Sequence, residues 1–172
     1  MDIQFMLTDT RSRVYLLWLA LVPLGFIATH FYQHHAINAL WTVFALIGLG
    51  FMYKALPLRV RQMQHILLAW LVPIAFGMVV SGAVFYVHGA VVANLLGHLG
   101  AFWLGIMAVG YTLNGLVDRP LFWYGFAAFI NVVACVLCFS LPQFTTAQYL
   151  VAAIVTAWSM LNLLLFRTDV LS

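Results

Sequence analysis

The stretch Arg59–Val87 reads RVRQMQHILLAWLVPIAFGMVVSGAVFYV: two arginines and then, from Ile66 onward, twenty-two residues without a charge. At about 1.5 Å of rise per residue, a helix over such a run covers the roughly 30 Å of hydrocarbon in a bilayer. The run therefore predicts a membrane-spanning helix whose first turn is held at one surface. The rest of the chain has the same character. Of its 172 residues 66% are hydrophobic and only 6% are charged, where a soluble domain carries about a quarter. So few charges cannot wet the surface of a chain this long, and lipid must solvate most of it.

Six apolar runs of spanning length are expected, at about 14–32, 37–56, 64–87, 91–115, 121–141 and 146–166. Pro57 with Arg59 and Arg61 separates the second from the third, Asp118-Arg119-Pro120 the fourth from the fifth, and Leu141-Pro142-Gln143 the fifth from the sixth. Backbone groups in lipid must be satisfied within their own segment, so the spans are helices. The alternating ten-residue segments of a membrane barrel are absent. The fold class expected is an all-α integral membrane bundle of six helices, residues 1–172 forming one transmembrane domain.

With six spans, all seven basic residues fall on one side: Arg11 and Arg13, then Lys54, Arg59 and Arg61, then Arg119, then Arg167. The bias of basic residues toward the cytoplasm makes that side, with both termini, the cytoplasmic face of a protein expected in the cell membrane. Asp2, Asp9, Asp118 and Asp169 fall there too, and the three outer loops contain no Asp, Glu, Lys or Arg. The net charge of +3 is scattered over segment ends, which speaks against a nucleic-acid partner. Asp2 and Asp9 precede the first run and no small-x-small site follows it, so that run is expected to stay in the mature protein.

An internal likeness supports a hairpin organisation. Leu17–Phe26 (LWLALVPLGF) and Leu67–Phe76 (LLAWLVPIAF) align on Leu, Leu-Val-Pro and Phe, each after an Arg-x-Arg. Tyr111–Asn114 precedes Arg119 much as Ser159–Asn162 precedes Arg167. Three helical hairpins of about fifty residues, inserted with one orientation, are expected. Pro23 and Pro73 should each free a carbonyl within a helix.

The polar chemistry gathers in the outer half. His30, His34 and His35 lie in THFYQHH at the end of the first span, His88 lies in the second outer loop and His98 lies inside the fourth span. If the first helix continues through Gln33, His30 and His34 share a face at i, i+4 and can chelate one ion. Cys135 and Cys138 lie in the last two turns of the fifth span, and Cys135 is expected at a depth similar to that of His98. Imidazole and thiolate suit copper, zinc or iron, and histidine also ligates haem. A metal set of His30, His34, His35, His88, His98, Cys135 and Cys138 is thus one reading, with His98 and His30 as the cofactor-binding pair. The competing reading makes the outer histidines interface residues and the cysteines small apolar fillers. The C-x-x-C spacing at Cys135–Cys138 also resembles that of membrane thiol oxidoreductases, over four residues.

Other polar and small residues suggest packing. Gly97, Ala101 and Gly105 recur every four residues, as do Gly77 and Ser81, ridges that let helices approach closely within a protomer or across a homo-oligomer. Asn131, Asn114 and Asn162 are expected to bond across helices, and Asn131, near mid-membrane, is the candidate for lining a polar path. Each of the six spans carries one tryptophan, suited to core packing or to an aromatic-lined cavity. Gly115–Pro120 followed by Trp123-Tyr124 resembles a stretch of six-helix urea and amide channels. There the stretch comes earlier in the helix order and the rest of the chain does not follow, so the resemblance implies no membership.

Three functions remain: an outer metal or haem site for redox chemistry or metal handling, a pH-sensitive channel or carrier for a neutral solute, and a non-catalytic subunit or assembly factor among other membrane subunits. A conventional hydrolase or transferase fits worst, since no outer carboxylate, catalytic triad or phosphate-binding loop is readable.

Overall fold

The computed structural model describes residues 10–86, 89–118 and 121–167, and every element there is an α-helix. In chain order these are α1 (Thr10–Phe31), α2 (Ile37–Ala55), α3 (Arg61–Ala83), α4 (Ala90–Gly97), α5 (Leu99–Val117), α6 (Leu121–Ser140), α7 (Pro142–Thr146) and α8 (Gln148–Arg167). Six of them, all but the short α4 and α7, are long and apolar enough to cross a membrane. Both α1 and α3 continue through their internal prolines. Large apolar side chains such as Leu24, Val79, Leu116, Phe122, Phe129 and Ile154 point away from the bundle, as lipid contact requires.

The long helices close a ring. α1 packs on α2, α2 on α3, α3 on α5, α5 on α6, α6 on α8 and α8 back on α1. A further contact between α5 and α8 divides the ring into a tight trio, α5–α6–α8, and a wider five-helix enclosure, α1–α2–α3–α5–α8. Gln62 of α3 donates to the Val117 carbonyl of α5 at 3.0 Å, and Tyr15 of α1 bonds Tyr124 of α6, which gathers those helix ends at one pole. Arg13, Arg59 and Arg61 mark that pole as the basic end. At the opposite pole Trp41 of α2 donates to Thr29 of α1 (2.9 Å), and Trp103 of α5 donates to Ser81 of α3 (2.9 Å).

Indoles seated on glycines hold the enclosure together. A Cβ added to Gly25 of α1 would lie 2.7 Å from Trp41 of α2, and one added to Gly48 of α2 would meet Trp18 of α1. The same exchange joins α3 and α5: Gly77 faces Trp103 at 2.8 Å and Gly110 faces Trp70 at 2.5 Å. Each of these four tryptophans precedes a glycine of its own helix by seven residues: Trp18–Gly25, Trp41–Gly48, Trp70–Gly77 and Trp103–Gly110. Seven residues are two helical turns, so knob and socket share a face, and an antiparallel partner with the same spacing meets both. Trp41 and Trp103 then stack at 5.8 Å and 9°, joining the two pairs. The ridge expected at Gly77 and Ser81 is real, and its guest is the single indole of Trp103.

The fourth span departs from expectation. The helix expected over 91–115 breaks at His98 (φ −123°, ψ 25°), leaving α4 as a separate short helix and α5 as the spanning one. A break exposes backbone groups that lipid cannot satisfy. Gln148, the first residue of α8, supplies the partners. Its Nε2 donates to the Gly97 carbonyl at 2.7 Å, and its Oε1 accepts from the N–H groups of Gly100 (2.8 Å) and Ala101 (3.2 Å). The break also dissolves the Gly97/Ala101/Gly105 ridge. Gly97 is exposed with nothing above it, Ala101 is fully buried, and Gly100 is the residue pressed against Gln148. Gly89, at φ 151°, turns the chain into α4 in a conformation that favours glycine.

These sockets predict opposite signs for chemically identical changes. Gly77→Ala should destabilise the bundle by about 1–3 kcal/mol, because its methyl overlaps a rigid indole. Gly50→Ala, where nothing lies within 4 Å, should be neutral or stabilising by up to about 1 kcal/mol. Unfolding of both variants in mild detergent measures the difference.

Candidate functional site

The five-helix enclosure is not filled. A narrow cavity of about 50 Å³ runs inside it, lined from α1 by Val14 through Phe26, from α2 by Trp41 through Met52, and from α3, α5 and α8 by Ile66, Trp70, Ile74, Met78, Trp103, Met107, Tyr111 and Met160. The α1 lining alone runs from Val14 to Phe26, about 18 Å of helix. The cavity is therefore long, thin and almost wholly apolar. The four indoles that key the helices together also form its walls, so the tryptophans pack the core and line a cavity at once. Four methionines, Met52, Met78, Met107 and Met160, complete the wall. Unbranched thioethers change rotamer easily, so this wall can reshape around a guest larger than the resting volume.

Polar groups meet the cavity at its basic end. Asp118, the residue after α5, is 4% exposed and lines it, as do Tyr15 and Tyr111. Tyr124 donates to Asp118 Oδ2 at 3.1 Å and is hydrogen-bonded to Tyr15. Because the Tyr124 proton points at the carboxyl, Tyr15 is the donor to Tyr124, and the chain of hydroxyls polarises toward Asp118. Gly115 makes room for it, since a Cβ there would sit 3.0 Å from the Tyr124 side chain. Tyr111 is fully buried, edge-on to Trp70 at 5.1 Å, and its hydroxyl has no partner among the described residues.

The α5–α6–α8 trio contains the expected cross-helix asparagine. Asn131 donates to the Ala127 carbonyl (2.8 Å) and to Ser159 of α8 (3.0 Å), and its Oδ1 has no partner among the described residues. Asn114 and Asn162 differ from expectation. Each donates to the carbonyl one turn back in its own helix, Gly110 and Trp158, instead of crossing to a neighbour. Asn131 belongs to this packed trio and does not line the long cavity.

The described histidines and cysteines do not assemble. Among the described residues no three of His, Cys, Asp and Glu are grouped so as to hold a metal ion. α1 ends at Phe31, so His30 and His34 do not share a helical face. His34 instead accepts from the Ala36 N–H at 3.3 Å and lies 3.8 Å from the exposed His35 ring. His30 Nδ1 is buried without a partner among the described residues. His98 sits in the helix break, bonded through Nδ1 to the Asn94 carbonyl at 2.8 Å and stacked on Phe139 at 4.9 Å. Cys135 faces Gly105, about one helical turn along α6 from Phe139, so it does not share the depth of His98. Cys135 and Cys138 are free thiols, the second fully buried. His88 lies outside the described residues.

The residues that line the cavity were mostly not those that drew attention in the sequence. Tyr15, Tyr111 and the four methionines are ordinary core types, and only two signals marked them. One was an aspartate at a helix end; the other was the seven-residue Trp-to-Gly spacing. Comparison with known proteins finds no matching family model, no matching curated protein and no matching solved structure.

Tyr124→Phe removes the hydroxyl between Tyr15 and Asp118 and should cost about 1–3 kcal/mol, the penalty for taking a donor from a buried polar group. Tyr32→Phe, at an exposed position, should cost nothing measurable. Urea unfolding of the detergent-solubilised protein separates the two.

Proposed function

We propose that this multi-pass membrane protein is a binder and carrier of a slender, uncharged and mainly apolar molecule, held along the cavity between α1, α2, α3, α5 and α8. The observation that carries this reading is the cavity itself, long, narrow and walled by four indoles and four thioethers. Concave apolar sites with a few convergent polar groups are where proteins bind small molecules. Flexible methionines let such a wall accept guests that differ in shape. The basic end, with Arg13, Arg59 and Arg61, faces the cytoplasm in this reading, and the histidines of THFYQHH lie at the opposite interface.

A bromoalkane tests it directly, because bromine quenches indole fluorescence on contact. In nanodiscs, 1-bromoundecane should quench the protein with a saturable component above the linear background due to lipid-dissolved probe. Ala45 lines the cavity, and Ala45→Phe should abolish the saturable component while leaving the linear one. Quenching that is linear and identical in both proteins would defeat the reading.

Orientation has its own test. In a chain with Cys135→Ala and Cys138→Ala, Arg59→Cys should react only with thiol reagents admitted to the cytoplasmic side, and Gln33→Cys only with those outside. The reverse pattern would invert the topology.

A further inference from the structure

The hydroxyls near the cavity are engaged, with one exception. Tyr15 and Tyr124 bond each other, and Tyr124 donates to Asp118. Toward the other pole, Thr29 and Ser81 receive the indole N–H groups of Trp41 and Trp103. Tyr111 alone among the cavity-lining tyrosines has a hydroxyl with no partner among the described residues, although the residue is wholly buried. Phenylalanine would fill the same space without that unmet donor, so the hydroxyl calls for an occupant of the cavity.

Chemistry narrows what that occupant presents. A phenol is a better donor than acceptor, because its oxygen lone pair is drawn into the ring. The group opposite is therefore an acceptor. Among the described residues, none that lines the cavity is lysine, arginine or histidine, so an anionic head would be buried there without a counter-charge. A water molecule needs two to four polar partners; at this end Tyr15 and Tyr124 already bond each other, Asp118 already accepts from Tyr124, and Trp70 and Met107 beside Tyr111 are apolar.

We infer that the Tyr111 hydroxyl is the recognition group for the polar end of the ligand, donating a hydrogen bond to the uncharged carbonyl oxygen of a slender apolar ketone, ester or quinone that lies along the cavity. This rests on the carrier reading above and adds the chemical class of what is carried. Tyr111 stands one turn farther into the bundle than Gly115, where Tyr124 packs. The carbonyl is thus held just short of the Tyr15–Tyr124–Asp118 chain, with the apolar body extending toward Trp41 and Trp103.

The test uses 2-undecanone, carbon-13 labelled at its carbonyl, beside 1-bromoundecane, with the full chain in nanodiscs. In the parent protein the bound ketone should show a carbonyl stretch at lower frequency than the lipid-dissolved ketone. Tyr111→Phe should remove that band and weaken saturable ketone binding about fivefold to tenfold, the value of one hydrogen bond. Saturable quenching by the bromoalkane should be unchanged in the variant. A shifted band that survives in Tyr111→Phe, or equal ketone affinity in both proteins, overturns the assignment. So does joint loss of ketone and bromoalkane binding in the variant, which would make Tyr111 a wall element only. A parent that binds the bromoalkane but not the ketone overturns this inference alone; a parent that binds neither removes the carrier reading with it.

Discussion

The enclosure depends on the seating of an indole on the bare backbone of a facing helix. Between helices in lipid the hydrophobic effect gives little, because hydrocarbon solvates an apolar side chain as well as a neighbour does. What remains is close contact, and close contact needs complementary shape. Gly25, Gly48, Gly77 and Gly110 provide the hollows, and Trp41, Trp18, Trp103 and Trp70 fill them. Because each pair works in both directions, α1 with α2 and α3 with α5 have fixed registers along the membrane normal. The Trp41–Trp103 stack then sets one pair against the other. Rigid rings locked this way cannot collapse inward, and the cavity between them persists.

Polar groups inside the bundle fall into two kinds. Some settle backbone or side-chain needs at the poles. Gln148 spans the gap between α4 and α5 with three hydrogen bonds, and Tyr15, Tyr124 and Asp118 form a continuous chain at the basic end. Others keep an atom with no partner among the described residues: the Tyr111 hydroxyl on the cavity wall, Asn131 Oδ1 in the α5–α6–α8 trio, Asn114 Oδ1 and His30 Nδ1. The contrast matters for function, because the first kind maintains shape and the second leaves capacity for a bond not yet made.

Much of the architecture could be read before the structure, for reasons that are local. Span length follows from bilayer thickness, and Pro57, Pro120, Pro142 and the arginines mark breaks that any helix would respect. The interruption at His98 could not be read this way. Nothing in Leu95–Gly100 demands it, and it is made tolerable by a side chain some fifty residues later in the chain. The site was the least legible part. Histidines attract notice in so apolar a chain, yet the end of α1 at Phe31 turns His34 and His35 onto an exposed loop. Tyrosine and methionine on an apolar helix read as core until the ring of helices is known to leave an opening. The Trp-to-Gly spacing was in plain sight, but its meaning depends on which helices face each other.

Each indole and the hollow that receives it occupy one shared volume, divided between two positions far apart in the chain. Such positions are not free to drift singly. Losing the indole opens a void, and growth at the glycine expels the ring. A bulky residue can migrate from one helix to the other only if both positions change together, for example Trp18→Gly with Gly48→Trp. The enclosure thus imposes a heritable pairing rule on α1 with α2 and on α3 with α5, one that related chains would reveal as trades of size across each pair.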